Sequence, residues 1–288
     1  VRGTRTRLRA ASTCLSNTST AQAGSSGAVG GHPGDHTVVG TGGDGGSRAS
    51  GAGSSVGGAR EHFSFFMTSL KGLQRLSKSD KGFGGDLRYG QPSGLEGADK
   101  ICSELAESSM PGAGAKGWRA FLSAAKGPDG AAVNAIDRVG EGPWYDRTGR
   151  ILGMNKTALA SARPQGADPA IINDLPNEDG IPNHQPDPGQ PAVNNHHALT
   201  GSDTSGKLYK GSSGSSTCND WSSTANAGRP RVGFSYPAGN RQHWISGQDE
   251  GGCGAGVVLV DNGPSDPNNP VVGSGGGYGG FYCFALMP

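Results

Sequence analysis

The first sixty residues constrain this chain most, because they leave the rest of the sequence to build any hydrophobic core. Residues 1–60 consist mainly of Gly, Ser, Ala and Thr, with scattered Arg and Asp. Ordering a backbone costs roughly 1–2 kcal/mol per residue, and such a segment buries too little apolar surface to offset that cost. We therefore expect a disordered Gly/Ser-rich arm over residues 1–60 and one domain over residues 61–288.

The bulk composition argues against several function classes. Hydrophobic residues make up 33% of the chain and glycine contributes 53 residues, which agrees with one modest core. The formal net charge is +1, and Arg229, Arg231 and Arg241 are too sparse to predict a nucleic-acid partner. The sequence has no apolar run of about 18 residues, so it predicts no membrane-spanning helix.

After the arm, the pattern predicts short elements of both kinds. Ser93 and Glu96 form a capping box before a helix, and Cys102 lies on the apolar face of that helix. A helical turn is predicted at residues 135–139. Strands are predicted at residues 63–69, 118–123, 142–149, 199–201, 218–221, 231–234, 257–260 and 281–286. The fold class is therefore α+β.

A long proline-rich stretch interrupts these elements. Residues 164–196 contain seven prolines among many Asn and Asp residues, so they predict an irregular loop. Loops of this length inside a domain frequently carry function. We call the large irregular region after residue 164 the loop lobe, and we expect its long loop, residues 164–216, to carry whatever recognition the protein performs.

Five cysteines restrict the cellular compartment. Cys14 lies in the arm, whereas Cys102, Cys218, Cys253 and Cys283 lie in the predicted domain. No CxxC pair is present, and an even set in one domain suggests two disulfides, which persist outside the cytosol. Buried free thiols are the alternative interpretation. Spacing alone leaves three connectivities open.

The order of the motifs resembles that of endostatin and the bacterial endostatin-like domains, which have the C-type-lectin-like fold. The similarity rests on Ser93-Gly-Leu-Glu and the helix after it, Trp118-Arg-Ala-Phe, Gly142-Pro-Trp-Tyr, Cys218-Asn-Asp-Trp and the closing Phe281-Tyr-Cys-Phe. It covers about residues 63–288. Members of this group occur in secreted and surface proteins, often behind Gly-rich linkers.

The resemblance implies a disulfide pattern. In C-type-lectin-like domains the first helix is tied to the last strand, and two later cysteines close the loop region. Transferred to this chain, Cys102 pairs with Cys283 and Cys218 pairs with Cys253.

The same resemblance raises the question of calcium-dependent sugar binding. Gln185-Pro-Asp187 is similar to the galactose-type loop motif, and Asn219 with Asp220 is similar to the Asn-Asp pair of a later strand. In the family that pair precedes the third cysteine, whereas here it directly follows Cys218. Because the order departs from the family pattern, we expect no calcium-dependent sugar site at these residues.

Two further groups are candidates for ligand contact. Asp174, Asn177, Glu178 and Asp179 form an oxygen-rich cluster whose chemistry suits Ca²⁺, although Asx-turns in a polar loop explain it equally. Trp221 and Trp244 lie in the loop lobe, where one of them could stack on a sugar. Trp118 and Trp144 are better assigned to the core.

Catalysis and zinc have little support in the sequence. His196 and His197 are adjacent, so on a strand they point to opposite faces and cannot easily share a metal ion. The Gly-x-Ser-x-Gly match at residues 53–57 lies in the arm, where no strand-to-helix turn is predicted. We expect no enzymatic activity and no required cofactor.

Two functions remain for an extracytoplasmic protein of this kind. The first is a non-enzymatic binding module that recognises a glycan or an extracellular protein through its long loop. The alternative is a self-assembling structural subunit of a surface layer, matrix or filament, whose arm orders when copies of the chain assemble.

Overall fold

The aromatic segment after residue 61 begins the part of the chain that the structure describes. The computed structural model describes residues 62–184, 193–211, 215–260 and 265–287. All of these residues belong to one compact unit, Ala52–Pro288. The predicted arm lies outside the described residues, as does Cys14.

Within the described residues, the regular structure consists of eight short strands and three right-handed α-helices. In chain order they are β1 Phe65–Met67, α1 Leu70–Ser77, α2 Gly94–Ser109, β2 Trp118–Ala120, β3 Trp144–Tyr145, β4 Ile151–Gly153, α3 Lys156–Leu159, β5 His197–Leu199, β6 Arg231–Phe234, β7 Gln248–Asp249 and β8 Gly280–Ala285. Two 3₁₀ turns lie at Ala113–Lys116 and Ala135–Asp137. This mixture confirms the α+β class.

Strand β8 is the centre of the main sheet. It pairs antiparallel with β1, so that Phe66 opposes Cys283, and antiparallel with β2, so that Ala120 opposes the same cysteine. It also runs parallel to β5, which continues the sheet to β6 and β7. The last strand of the chain therefore joins the N-terminal strands to the loop lobe. Strands β3 and β4 form a separate two-stranded sheet.

Helix α2 forms where the sequence predicts it. The Ser93 hydroxyl accepts from the Glu96 backbone N–H, and the Glu96 carboxylate accepts from the Ser93 backbone N–H, so both halves of the capping box are present. Leu95, Ile101 and Leu105 are buried on the face that packs against the core. The helix ends at Ser109, directly before Met110 and Pro111.

Helix α1 is an element that the sequence reasoning missed. The sequence analysis assigns no element to this segment, yet Ser69 caps a helix by accepting from the Gly72 backbone N–H at 2.9 Å. Leu73 and Leu76 are buried three residues apart, which is the helical signal that could have revealed it.

Two predicted strands are absent from the described residues. Residues 257–260 contribute only an isolated bridge between Val258 and Gly277. Residues 218–221 form a turn, which is described with the candidate site. The long loop is irregular as predicted, but its described part is anchored: Leu175 is buried, and its N–H donates to the carbonyl of Ser235 at 3.1 Å.

Two disulfides fix this architecture, and they are the pairs that the resemblance implied. Cys102–Cys283 joins α2 to β8 across 181 residues of sequence, and Cys218–Cys253 closes a segment of 35 residues within the loop lobe. All four cysteines are buried. Constraining the unfolded chain over such loops contributes typically 2–4 kcal/mol for each bridge.

Candidate functional site

Asn219 and Asp220 lie in a left-handed turn rather than on a strand. The four residues Cys218–Trp221 have φ between 49° and 62°. That conformation costs a non-glycine residue roughly 1–2 kcal/mol, so neighbouring contacts must hold it. The Asp220 carboxylate accepts from the backbone N–H of Ala125 at 2.5 Å and of Lys126 at 3.2 Å. Asp220 therefore helps to hold the turn against residues 125 and 126, while Asn219 is exposed.

The predicted sugar-stacking tryptophans are core residues. Trp221 and Trp244 are fully buried. The Trp221 indole N–H donates to the carbonyl of Ser123 at 2.8 Å, and that of Trp244 donates to the carbonyl of Leu159 at 2.8 Å. Each indole has its polar atom satisfied inside the protein, as buried tryptophans normally do. The prediction that either one contacts a ligand is wrong. Gln185 and Asp187 lie outside the described residues.

The oxygen-rich cluster of the loop does not converge on a point. Glu178 is buried and accepts from Ser69, through the backbone N–H at 2.9 Å and the hydroxyl at 2.5 Å. Asn177 accepts from the backbone N–H groups of Asp179 and Ile181 in an Asx-turn. Asp174 accepts from the backbone N–H of His184 at 2.9 Å.

Asp174, Asn177 and Glu178 each accept from a separate backbone or hydroxyl donor, which is the arrangement of the Asx-turn alternative. Within the described ranges, no group of three or more His, Cys, Asp or Glu side chains is arranged to hold a metal ion.

A buried polar cluster that the sequence reasoning missed lies beside β5. The His197 Nδ1 lies 2.6 Å from the Glu250 Oε1, and the Ser265 hydroxyl donates to the Glu250 Oε2 at 2.9 Å. The Gln248 amide lies 3.1 Å from the His197 Nε2. Burial raises the pKa of Glu250 well above its usual range.

This cluster contains the residue types of a Ser–His–acid enzyme in another order. The carboxylate lies between the serine and the histidine, whereas a nucleophilic triad places the histidine between the serine and the acid. His197 and Glu250 are 1% and 0% exposed, so the cluster has no surface on which a substrate could sit. Its hydrogen bonds instead tie β5 to the segments around Glu250 and Ser265.

An open groove is the best candidate for ligand contact. Its lining comes mainly from the segment that connects α1 to α2. It has a volume of about 650 Å³, which lies in the range of ligand-binding clefts. We call it the groove; it is lined by Ser77, Gly82, Phe83, Asp86, Arg88, Tyr89, Gly90, Gln91 and Thr224.

Two features make the lining of the groove chemically specific. Asp86 and Arg88 form a bidentate pair, in which the arginine Nε donates to Oδ1 at 2.9 Å and Nη2 donates to Oδ2 at 2.6 Å. The hydrogen bond from Arg88 lowers the pKa of Asp86. Phe83 and Tyr89 are half-buried and meet edge to face, with ring centroids 5.4 Å apart.

The groove segment is anchored from below by the disulfide and the left-handed turn. The Gly85 N–H donates to the carbonyl of Cys253 at 2.8 Å, and the Leu87 N–H donates to the carbonyl of Trp221 at 2.9 Å. A Cβ atom on Gly85 would lie 2.5 Å from the Cys218 sulfur. A glycine is therefore required where this segment crosses the bridge.

Helix α2 holds the other side of the segment by an equally close approach. A Cβ atom on Gly97 would lie 2.1 Å from the carbonyl oxygens of Leu87 and Arg88, and one on Gly94 would lie 2.2 Å from that of Trp221. Glycine inside a helix costs roughly 1 kcal/mol relative to alanine. The helix accepts that cost at two positions, which face the groove segment and the turn.

A second cavity, of about 410 Å³, lies at the other side of α2. One of its charged residues, Asp99, is committed to the fold, since its two carboxylate oxygens accept from the Arg138 Nη2 at 2.9 and 2.8 Å and its Oδ1 also accepts from the Ala120 N–H at 2.8 Å. Burial raises the pKa of Asp99 and lowers that of Arg138. The pair ties α2 to β2, so this cavity is a weaker candidate for ligand contact than the groove.

The sequence analysis misses the groove because it assigns no element or site to residues 82–91. The available signal was the alternation of large polar or aromatic residues with glycine, from Phe83 through Asp86 and Arg88 to Tyr89 and Gly90. A flexible linker has no need of such side chains.

Comparison with protein-family models and with curated proteins gave no match to this chain. None of the helices in the described ranges is long and apolar enough to cross a membrane.

Proposed function

We propose that this chain is an extracytoplasmic, non-enzymatic binding module that holds its ligand in the groove. The observation that carries the proposal is the groove lining, in which a fixed Asp86–Arg88 pair lies beside two half-buried aromatic rings. Ligand sites combine an apolar surface with a few fixed polar groups in this way. The resemblance to endostatin-like domains supports the same class of function.

The two disulfides support the extracytoplasmic part of the proposal. Both bridges are buried, and Cys102–Cys283 joins elements at opposite ends of the domain. Disulfides of this kind form and persist in oxidising compartments. The non-enzymatic part rests on the burial of the His197–Glu250–Ser265 cluster and on the position of its carboxylate.

The site of recognition differs from the one that the sequence suggested. The described part of the long loop is tied to the core through Leu175, Glu178 and Asn183, whose side chain donates to the Ser235 hydroxyl at 3.0 Å. The groove instead presents aromatic and charged side chains at an open surface. We therefore place recognition in the groove.

A binding experiment with the full chain tests the proposal. The oxidised chain is immobilised and exposed to a panel of purified polysaccharides and extracellular matrix proteins, together with the variants Arg88→Ala and Lys207→Ala. We expect at least one probe to bind, to lose affinity about tenfold or more in Arg88→Ala, which corresponds to about 1.4 kcal/mol, and to bind Lys207→Ala normally.

Lys207 is the matched control because it is an exposed cation outside the groove. The bound probe should be recovered with its mass unchanged. Cleavage or modification of the probe would contradict the non-enzymatic assignment, and equal loss of binding in both variants would contradict the groove as the site.

A further inference from the structure

The groove has a lining that matches one chemical class of ligand. On the basis of the binding function proposed above, we propose that it binds a neutral saccharide directly, through stacking and hydrogen bonds and without a metal ion. The inference rests on how the Asp86–Arg88 pair, the two aromatic rings and the backbone of the groove are arranged.

The charged groups at the centre of the groove neutralise each other. Both Asp86 oxygens accept from the Arg88 guanidinium, so the pair has no net charge but keeps fixed donors and acceptors. An arginine side chain has five N–H donors, and this contact uses two of them, one on Nε and one on Nη2. A charged ligand gains little from a pair that carries no net charge, whereas a hydroxyl can both donate to the carboxylate and accept from the remaining guanidinium N–H groups.

The aromatic rings supply the apolar part of a saccharide site. A sugar ring has a polar rim of hydroxyls and a face of C–H groups, and half-buried aromatic side chains are suited to ligands with both characters. Phe83 and Tyr89 lie beside the charged pair in the same groove. Gln91 and Thr224 add further side chains that can donate and accept.

Tyr89 is held in place before any ligand arrives. Its hydroxyl donates to the Glu104 carboxylate at 2.8 Å, and the Lys100 ammonium lies 4.8 Å from the ring centroid. Immobilising a free side chain on binding costs roughly 0.5–1.5 kcal/mol. A ring that is already fixed avoids most of that cost.

The backbone conformation at Tyr89 is independent evidence for a ligand site in the groove. Its φ is 44°, a left-handed conformation that a bulky residue rarely adopts and that Gly would adopt without strain. Gly90 follows with φ of 77° and open space around its Cβ position. Strained residues of this kind are concentrated at ligand sites, where the surrounding structure maintains them.

The metal-free character follows from the donors present. The groove contains one carboxylate, Asp86, and both of its oxygens are engaged by Arg88. A calcium site needs six to eight oxygen ligands. Hydrogen bonding and stacking are therefore the interactions that this lining can offer.

A saccharide array tests the inference. The full chain, with its disulfides intact, is applied to immobilised neutral oligosaccharides of hexoses, pentoses and N-acetylhexosamines, and to sulfated and sialylated oligosaccharides. We expect binding to at least one neutral oligosaccharide, unchanged by EDTA. Titration calorimetry with that oligosaccharide should show at least tenfold weaker binding to Tyr89→Ala and to Gln91→Ala.

Tyr209→Ala is the matched control, since Tyr209 is also a half-buried tyrosine beside a cation, with the Arg231 guanidinium 4.3 Å from its ring centroid, but lies outside the groove. It should bind the oligosaccharide normally. Gln91→Ala keeps the test decisive if Tyr89→Ala is poorly folded, because it removes a surface amide and leaves the groove backbone unchanged.

Three results would overturn the saccharide assignment: binding to charged oligosaccharides alone, loss of binding in EDTA, or neutral binding that both groove variants retain. In the first two results a ligand can still occupy the groove, so the proposed binding function would survive. Neutral binding that both groove variants retain would also overturn the groove as the site. Failure to bind any saccharide or any extracellular protein would overturn both the saccharide assignment and the binding function.

Discussion

Replacing Gly97 by alanine tests the close approach between α2 and the groove segment. The new Cβ atom would lie 2.1 Å from the carbonyl oxygens of Leu87 and Arg88, against 3.4–4 Å for an ordinary contact, so the segment must retreat by at least about 1 Å. Alanine improves helix propensity by roughly 1 kcal/mol, whereas overpacking a tight contact costs about 1–3 kcal/mol or more. Since the obstacle is backbone rather than a movable side chain, we expect the clash to win.

The expected net effect is a loss of about 1–2 kcal/mol, which lowers the melting temperature by about 2–8 °C in a domain of this size. Urea unfolding of the oxidised protein measures it, and the variant should also bind groove ligands more weakly. Ser108→Ala, on the exposed side of the same helix, is the control and should gain a few tenths of a kcal/mol. A Gly97→Ala protein as stable as the wild type would refute the reasoning.

The remaining predictions concern the disulfides, one buried acid and assembly. Replacing the Cys102–Cys283 pair by alanines should lower the free energy of unfolding by about 5 kcal/mol, and replacing Cys218–Cys253 by about 4 kcal/mol, because the unfolded chain gains loop entropy. Chemical denaturation measures both losses. Only the second replacement should alter the groove, which heteronuclear NMR spectra would show. Burial raises the pKa of Glu178, although the hydrogen bonds from Ser69 oppose the shift. The folded state therefore holds the proton more tightly than the unfolded state does. The stability gained from protonation is complete below the unfolded-state pKa and is lost as the pH rises through the folded-state pKa. The stability of wild type relative to Glu178→Gln should fall in urea titrations as the pH rises above the unfolded-state pKa of about 4.3, and a difference that rises with pH would contradict this sign. For the self-assembly alternative, light scattering should show the full chain larger than a monomer and residues 61–288 monomeric, whereas a binding module should be monomeric in both forms.

Local patterns in the sequence were sufficient for several parts of the fold. The capping box at Ser93 and the apolar spacing of α2 depend on neighbours within a few residues, so they could be identified without the tertiary structure. The short 3₁₀ turn at Ala135–Asp137 and strands β2, β3, β6 and β8 were located in the same way. Helix α1 was not predicted, although the spacing of Leu73 and Leu76 is helical, because Gly72 and the glycines after the helix are typical of a loop.

The candidate site depends on contacts that no local pattern contains. Asn219, Asp220 and Trp221 form a ligand-like motif in sequence, but a left-handed turn directs the last two to Ala125, Lys126 and Ser123, about a hundred residues earlier. Asp174, Asn177 and Glu178 likewise accept from separate donors, such as Ser69 for Glu178. A short motif gives residue types, whereas the partners of a polar group decide its role.

The sequence by itself determined the α+β class, the capped helix α2 and the even set of cysteines in the domain, because these follow from composition and from interactions between near neighbours. Only the tertiary structure decided that Trp221 and Trp244 are core residues and that residues 82–91 line a groove. The reason is that the groove depends on three segments meeting at glycines: Gly97 of α2 against Leu87, and Gly85 against the distant Cys218. A glycine in sequence shows that a close approach is permitted, and only the fold shows what approaches.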